Sequence, residues 1–483
     1  MAYVLALLPI ALLIVLSLLR SVKEAVLVAA GVTSGLFFYW GADLSRFIGT
    51  VAVAAVTSLN ILMIVFGAAF LYNIMDKSGL IGQISHSLDG LHPSREIRFF
   101  LLAICLTAFF EGVAGFGTPG AIVPLLLIAM GFNAVLSVCV VLLFDGLAAL
   151  FGAVGTPVLI GLQLPLGLDA AQLQQISLLS AGLGVLAAGA MLLFIFRLFA
   201  RYQGPLQYKG TVVLLYLFFA LPFCLLAYWV PELATVLGAL SMLLLSILFL
   251  RRPGSRLELA PWLPYGLLAM LLLLPKLYNP LSRWIGWDIG LPNLFGSGIS
   301  TSFKPLQSPL IPFLVVGLGV ALYKRIPSLY LGDALQKILR VVVVLFPSIL
   351  VAQLMINSGQ TQPSMIGHIS ELLSGLGSAY PLLAPFIGVI GAFITGSTTI
   401  SNVVFGASQL QTAQLLGQDP VVLLSLQHTG AAVGNAICLF NIIAAASIAN
   451  LQNYKEVLAR NLLPALSAAG LAGVLGWALL LWW

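Results

Sequence analysis

Residues 212–230 and 233–250 run without a single charged side chain and are dominated by Leu. Each approaches the roughly 20 apolar residues that a helix needs to cross the hydrocarbon core of a bilayer. Runs of this kind recur along the chain. Of its 483 residues 61% are hydrophobic and 7% charged, against about 45–50% and about 25% in soluble domains. No water-soluble fold hides that much apolar surface, so the solvent is lipid. In lipid every backbone N–H and C=O must be paired within the protein, which leaves helices or a closed barrel. The runs do not alternate between apolar and polar residues, so helices are expected.

The net charge of +6 then has a simple source in the basic loops of an inserted protein, and no nucleic-acid partner is expected. Cys105, Cys139, Cys224 and Cys438 all lie in apolar stretches without a C-x-x-C pair and read as small packing residues. No P-loop, no metal-ligand spacing and no arginine ladder is present, so neither ATP, a metal nor a cofactor is expected. Met1-Ala2-Tyr3 carries no basic n-region, and the first apolar stretch reads as a retained span.

Basic residues cluster in alternate loops: Arg20/Lys23, Lys77/Arg95/Arg98, Arg197/Arg201/Lys209, Arg251/Arg252/Arg256, Lys324/Arg325/Lys337/Arg340 and Lys455/Arg460. Only Arg46, Lys276, Arg283 and Lys304 fall between them. The positive-inside rule puts the six clusters in the cytoplasm and both termini outside. Between Arg98 and Arg197, and between 360 and Lys455, there are more apolar pieces than simple crossings explain. Both stretches are interrupted by Gly, Pro, Ser and Thr. Such breaks at membrane depth are tolerated only where they line a cavity or are buried in protein.

The breaks repeat. Gly117-Thr118-Pro119 returns as Gly155-Thr156-Pro157 after 38 residues, and Gly396-Ser397-Thr398 is followed by Gly434-Asn435-Ala436 after another 38. The expected architecture is an all-α integral membrane protein of two inverted repeats, each with a re-entrant helical hairpin and a broken span. That makes about 12 spanning helices plus two hairpins. The first half reads as spans at 2–19, 25–41 and 48–75, a hairpin at 97–131, a broken span at 133–165 and a last span at 174–196. The second reads as spans at 261–275, 307–323 and 339–357, a hairpin at 381–417, a broken span at 420–450 and a last span at 461–482. Two extra spans, 211–230 and 233–250, join them. The expected division is 1–200 for the first repeat, 201–258 for the linking helices and 259–483 for the second repeat. Paired interruptions in inverted repeats point to the binding site.

Three ionisable residues fall inside these spans near the breaks: Glu111, Asp145 and His428. Intramembrane charges are expensive and default to functional candidates, here for carrying a proton; interhelical hydrogen bonding is the plainer alternative. Ser397, Thr398, Thr399, Ser401 and Asn402 crowd five hydroxyl or amide side chains into one short segment beside Gly396. Hydroxyls, an amide and free N–H groups at a helix start make an anion site, although Ser and Thr also serve as packing glue between membrane helices. Gly117, Thr118, Thr156, Asn435 and Asn441 occupy the matching breaks. No Lys or Arg lies there, which suits a small monoanion.

Four segments carry a resemblance. They are Phe110-Glu111-Gly112-Val113-Ala114-Gly115-Phe116-Gly117-Thr118-Pro119, Phe151-Gly152-Ala153-Val154-Gly155-Thr156-Pro157, Gly396-Ser397-Thr398-Thr399-Ile400-Ser401-Asn402-Val403-Val404-Phe405, and Gly434-Asn435-Ala436-Ile437-Cys438 with Asn441-Ile442-Ile443-Ala444-Ala445. In this order, over residues 109–446, they resemble the lactate permease family, which includes glycolate permeases. The resemblance implies proton-coupled symport of small 2-hydroxymonocarboxylates across a cytoplasmic-type (inner) membrane, with a small carboxylate, protons and the lipid bilayer as partners. Sodium is the alternative coupling ion, and a homodimer is compatible. Thr398 stands where the family carries Asn or Asp, Phe440 where some members have His, and Asp145 has no place in the family pattern. A carrier of another organic anion, such as a dicarboxylate or sulfonate, is the second reading. An integral-membrane enzyme acting on lipids is the third. It would want a nucleophile–base pair or metal ligands, for which His428 alone is thin support.

Overall fold

The computed structural model describes residues 1–89, 92–113, 115, 117–250, 260–278, 288–303, 305–307, 310–326, 329–360, 362–451 and 453–482. Ala114, Phe116, the cluster Arg251/Arg252/Arg256, and Arg283 and Lys304 lie outside the described residues, as do the side chains of Lys276, Lys337 and Arg340. The protein is a helical membrane fold. Among the described residues eight helices are long and apolar enough to cross a bilayer, and further apolar helices are shorter.

Three helices open the chain, Ala2–Leu19, Val22–Tyr39 and Leu44–Lys77. Ser21 and Asp43 start the latter two by accepting the N–H groups of Glu24 (3.2 Å) and Arg46 (2.7 Å), which satisfies donors that a helix start leaves without partners. Arg46 then reaches across the molecule. Its guanidinium donates to the carbonyls of Asn357 (2.8 Å) and Gly359 (3.2 Å), covering the C-terminal end of the helix Leu331–Asn357 with positive charge.

The first hairpin descends through Arg95–Leu101, a π-helical stretch Leu102–Leu106 and Thr107–Val113, and returns as Thr118–Ala129. The broken span follows as Ala134–Ala148, a turn over Ala149–Phe151, and a second arm running from Gly152 to Leu166. The last span of this half is Ala170–Gln203, and Lys209–Trp229 with Ala234–Leu250 link onward. The second half has Leu263–Leu277, Leu310–Tyr323 and Leu331–Asn357. Its hairpin is Tyr380–Thr395 with Thr398–Leu416, its broken span Pro420–Asn435 with Leu439–Ile448, and its last span Tyr454–Trp482. Each expected span and hairpin thus has a helical counterpart.

The packing exchanges partners between the halves in matched pairs. The third helices, Leu44–Lys77 and Leu331–Asn357, pack on each other, and so do the last spans and the two broken spans. The returning arm Thr118–Ala129 lies on Leu439–Ile448, and the returning arm Thr398–Leu416 lies on the distal arm of the first broken span. Each hairpin is therefore clasped by the other half's broken span, as an inverted repeat requires.

Close helix approach in lipid depends on small residues. A Cβ at Gly430 would collide with the Pro385 carbonyl, and one at Gly388 with the Gln427 carbonyl. The helices Tyr380–Thr395 and Pro420–Asn435 therefore meet backbone to backbone.

Two elements depart from the expected scheme. A small antiparallel pair, Ile289–Leu291 with Thr301–Phe303, interrupts the all-helical reading in the loop before Leu310–Tyr323. A helix Met365–Ser374 occupies the stretch left unassigned between the expected span 339–357 and hairpin 381–417. It packs on Ala2–Leu19 and Thr398–Leu416, and its His368 ring sits edge-on to Tyr3 and Trp40.

Candidate functional site

Glycine makes both hairpin tips. Gly117 (φ 77°) and Gly396 (φ 72°) adopt the left-handed conformation, which costs glycine nothing and a residue with a Cβ roughly 1–2 kcal/mol. Each lets one helix end and another begin within a few residues. The first broken span turns more severely, with Ala153 (φ 44°), Val154 (φ 57°) and Gly155 (φ 73°) left-handed in succession. Strain of this kind in a β-branched residue persists only where the surroundings enforce it.

These breaks converge on one buried cavity. It is lined by Glu111 and Gly117 of the first hairpin, by Gly152, Ala153 and Thr156 of the first broken span, by Gly396, Ser397, Thr398 and Thr399 of the second hairpin, and by Asn435 of the second broken span. The volume open to the centre of a water molecule is about 30 Å³, enough for one or two waters.

The helix Thr398–Leu416 aims its start at this cavity. Ser397 caps it in extended conformation, its hydroxyl accepting from the Ile400 N–H at 3.3 Å. The Thr398 and Thr399 N–H groups belong to the first turn, where no carbonyl within the helix can serve them. Partial positive charge of the helix dipole adds to these donors. The Thr156 hydroxyl donates back to the Gly152 carbonyl at 3.4 Å.

Glu111 is the cavity's carboxyl group, on the descending arm of the first hairpin and 5% exposed. It lies against Gly152, where a Cβ would strike its Oε1. Asp145 is fully buried on the helix Ala134–Ala148, which packs on the Glu111 helix Thr107–Val113. On its other side Asp145 Oδ2 accepts from Asn435 Nδ2 at 3.0 Å, and Asn435 Oδ1 accepts from Asn441 Nδ2 at 2.8 Å. A hydrogen-bonded chain thus runs from Asp145 through Asn435 to Asn441, crossing from one half to the other. The side-chain carbonyl of Asn441 ends beside Gly117.

The other anticipated residues stand behind the wall. Thr118 begins its helix with its N–H bonded to the Gly115 carbonyl at 3.1 Å and does not line the cavity. Ser401 donates to the Gly388 carbonyl at 2.9 Å. Asn402 donates through Nδ2 to the Pro157 carbonyl at 3.0 Å and approaches His428 Nδ1 at 2.8 Å. His428 is fully buried, with its ring 5.9 Å from that of Phe151. These three residues tie the second hairpin to both broken spans.

One network escaped the sequence reading. Tyr380 donates to Gln409 Oε1 at 2.6 Å, Gln409 to Gln427 Oε1 at 3.0 Å, and Gln427 to the Ser401 hydroxyl at 3.3 Å. Two glutamines inside apolar helices were the available signal. All members are buried and uncharged, so they stiffen the second hairpin without adding charge near the cavity.

Comparison with known proteins comes to the same place. The family profile described as L-lactate permease matches residues 2–257 and 281–481. An L-lactate permease of Streptococcus iniae is 29% identical, over 74% of this chain and 79% of its own length. The L-lactate permease of Escherichia coli (strain K12) is 24% identical over 77% of this chain and 76% of its own. A relative from Haemophilus influenzae is 25% identical over 99% and 98% of the two chains. Among solved structures, the YdaH transporter of Alcanivorax borkumensis aligns over 90% of this chain and 87% of its own, with 14% identity and a TM-score of 0.44. With a profile match that spans nearly all of its helices, the chain belongs to the L-lactate permease family.

Proposed function

We propose that this protein is a secondary transporter that moves a small 2-hydroxymonocarboxylate, L-lactate or glycolate, together with a proton. The observation that carries the reading is the composition of the central cavity. Helix-start N–H groups, hydroxyls and one amide face a single carboxyl, with no lysine or arginine in the lining. The substrate carboxylate sits at the start of Thr398–Leu416, held by Ser397, Thr398 and Thr399. Thr156 and Asn435 serve the 2-hydroxyl. Several weak bonds, each net about 0.5–1.5 kcal/mol and more to a charged acceptor, hold a monoanion without trapping it. A lone cation in low dielectric would bind more tightly and release more slowly.

The proton rides on the Glu111–Asp145 pair. With a proton there, the pair carries one charge fewer and repels an incoming anion less. Loss of the proton to the opposite side restores the repulsion and expels the substrate. The division into repeats at 1–200 and 259–483 around linking helices at 201–258, with the basic loops on the cytoplasmic side and both termini outside, belongs to the same proposal.

A Glu111→Gln variant in proteoliposomes tests it. Counterflow of labelled lactate should continue, because exchange needs no net proton movement. Accumulation driven by a pH gradient should fall to simple equilibration. Wild-type accumulation in that variant, or accumulation that follows a sodium gradient in the native protein, would reject proton coupling through Glu111.

A further inference from the structure

A second crevice lies away from the central cavity, between the last spans of the two halves, Ala170–Gln203 and Tyr454–Trp482. It encloses about 440 Å³. Arg197 and Arg201, four residues apart and so on one face, line it from the last turns of the first helix, and Arg460 lines it from the early turns of the second. Moving inward along both helices the lining turns apolar, with Leu143, Phe194 and Leu463. Leu463 is 62% exposed. Glu456 offsets part of the charge; it pairs with Arg460 at 3.6 Å and accepts from the Tyr202 hydroxyl at 2.7 Å. Arg460 Nε is shielded from solvent and has no hydrogen-bond partner among the described residues.

We propose that this crevice binds an anionic phospholipid, its phosphate between Arg197, Arg201 and Arg460 and an acyl chain against Leu143, Phe194 and Leu463. Guanidinium groups match phosphate oxygens in pairs, and basic pockets between membrane helices hold acidic headgroups. The order of charge at the helix ends and apolar floor further in is that of a lipid seen from its headgroup down. A free phosphate would have no use for the floor. The consequence reaches the transport site, because Ala170–Gln203 packs on Pro420–Asn435 and Tyr454–Trp482 packs on Ala134–Ala148. A lipid that clamps the two last spans therefore steadies both broken spans from behind.

The test uses the purified full chain in neutral detergent, with phosphatidylglycerol, phosphatidylcholine and inorganic phosphate titrated separately. Thermal melting and native mass spectrometry are the readouts. Phosphatidylglycerol should remain as a one-to-one adduct and raise the melting temperature, while phosphatidylcholine and phosphate should do neither. Replacing the arginines as R197Q, R201Q and R460Q should weaken phosphatidylglycerol binding by about fivefold each. Leu463→Trp, an exposed position, should block the floor with all charges kept and lower lipid retention as well. If the triple variant fails to fold, R197Q alone and Leu463→Trp decide the matter. Equal shifts with phosphatidylcholine, a shift of the same size with phosphate alone, or unchanged retention in R197Q and Leu463→Trp would each overturn the proposal.

Discussion

At the level of single residues, Glu111 and Gly152 form one unit, since the carboxyl occupies the space that a side chain at 152 would take. Gly152→Ala should therefore displace the carboxyl rather than the fold, because the colliding atom is the far end of a flexible side chain. The expected result is a protein that melts near the wild-type temperature and loses pH-driven accumulation, checked by melting and uptake on the same preparation. Asn435 carries a different burden. Its amide donates to Asp145 and accepts from Asn441, so Asn435→Ala removes a donor from a buried carboxyl. A loss of about 1.5–3 kcal/mol, the worth of a hydrogen bond to a charged group, should appear in denaturation, together with weaker lactate binding by calorimetry. Residue type alone announced Glu111, Asp145 and the hydroxyl segment, because charge and clustered polarity are rare in apolar spans. It did not reveal that Ser401 and Asn402 face backward. That direction depends on which helices flank Thr398–Leu416, and a run of polar residues one turn inside a helix carries no mark of its partners.

Among the elements, the hairpin Tyr380–Thr395 with Thr398–Leu416 is fixed by backbone contact. Gly430→Ala places a methyl group against the Pro385 carbonyl, which cannot yield as a side chain can. Overpacking of this sort costs about 1–3 kcal/mol, and the melting temperature should fall without a change in ligand preference. Ser397→Ala should act on both properties, because Ser397 caps the helix and also lines the cavity. The cap is worth about 1 kcal/mol, and lactate affinity should drop with it. Removal of stability alone, with dissociation constants unchanged, would relegate Ser397 to capping. Both hairpins were legible because Gly beside Ser or Thr inside an apolar run breaks a helix, and a break at membrane depth needs a protein-lined space to face. The strand pair Ile289–Leu291 and Thr301–Phe303 was not. Its strands are three residues each, too short for an alternating pattern to register, and residues around Gly296 rest on the helix Leu44–Lys77, far off in the chain.

Taken whole, the molecule is built of halves that exchange their hairpins and broken spans in matched contacts, yet the chemistry is divided unevenly. Glu111 and Asp145 come from the first half, whereas Ser397, Thr398 and Thr399 come from the second. Cys438, buried in the second broken span and touching the hairpin tip at Gly396, offers a way to watch the site open. If the lining parts during turnover, a small thiol reagent should inactivate the protein through Cys438, and saturating lactate should slow that reaction. A Cys438→Ala variant serves as the control, and equal inactivation of it would assign the effect to another thiol. The matched contacts also bear on direction. A skeleton related to itself by inversion has two end states, open to either side, that mirror each other and so begin as near equals in energy. What separates them is the difference between a carboxyl pair on one half and a row of hydroxyls on the other. On the proposed function, a carrier of this kind is a balance with nearly level arms, on which the proton and the acid would be the small weights that tip it.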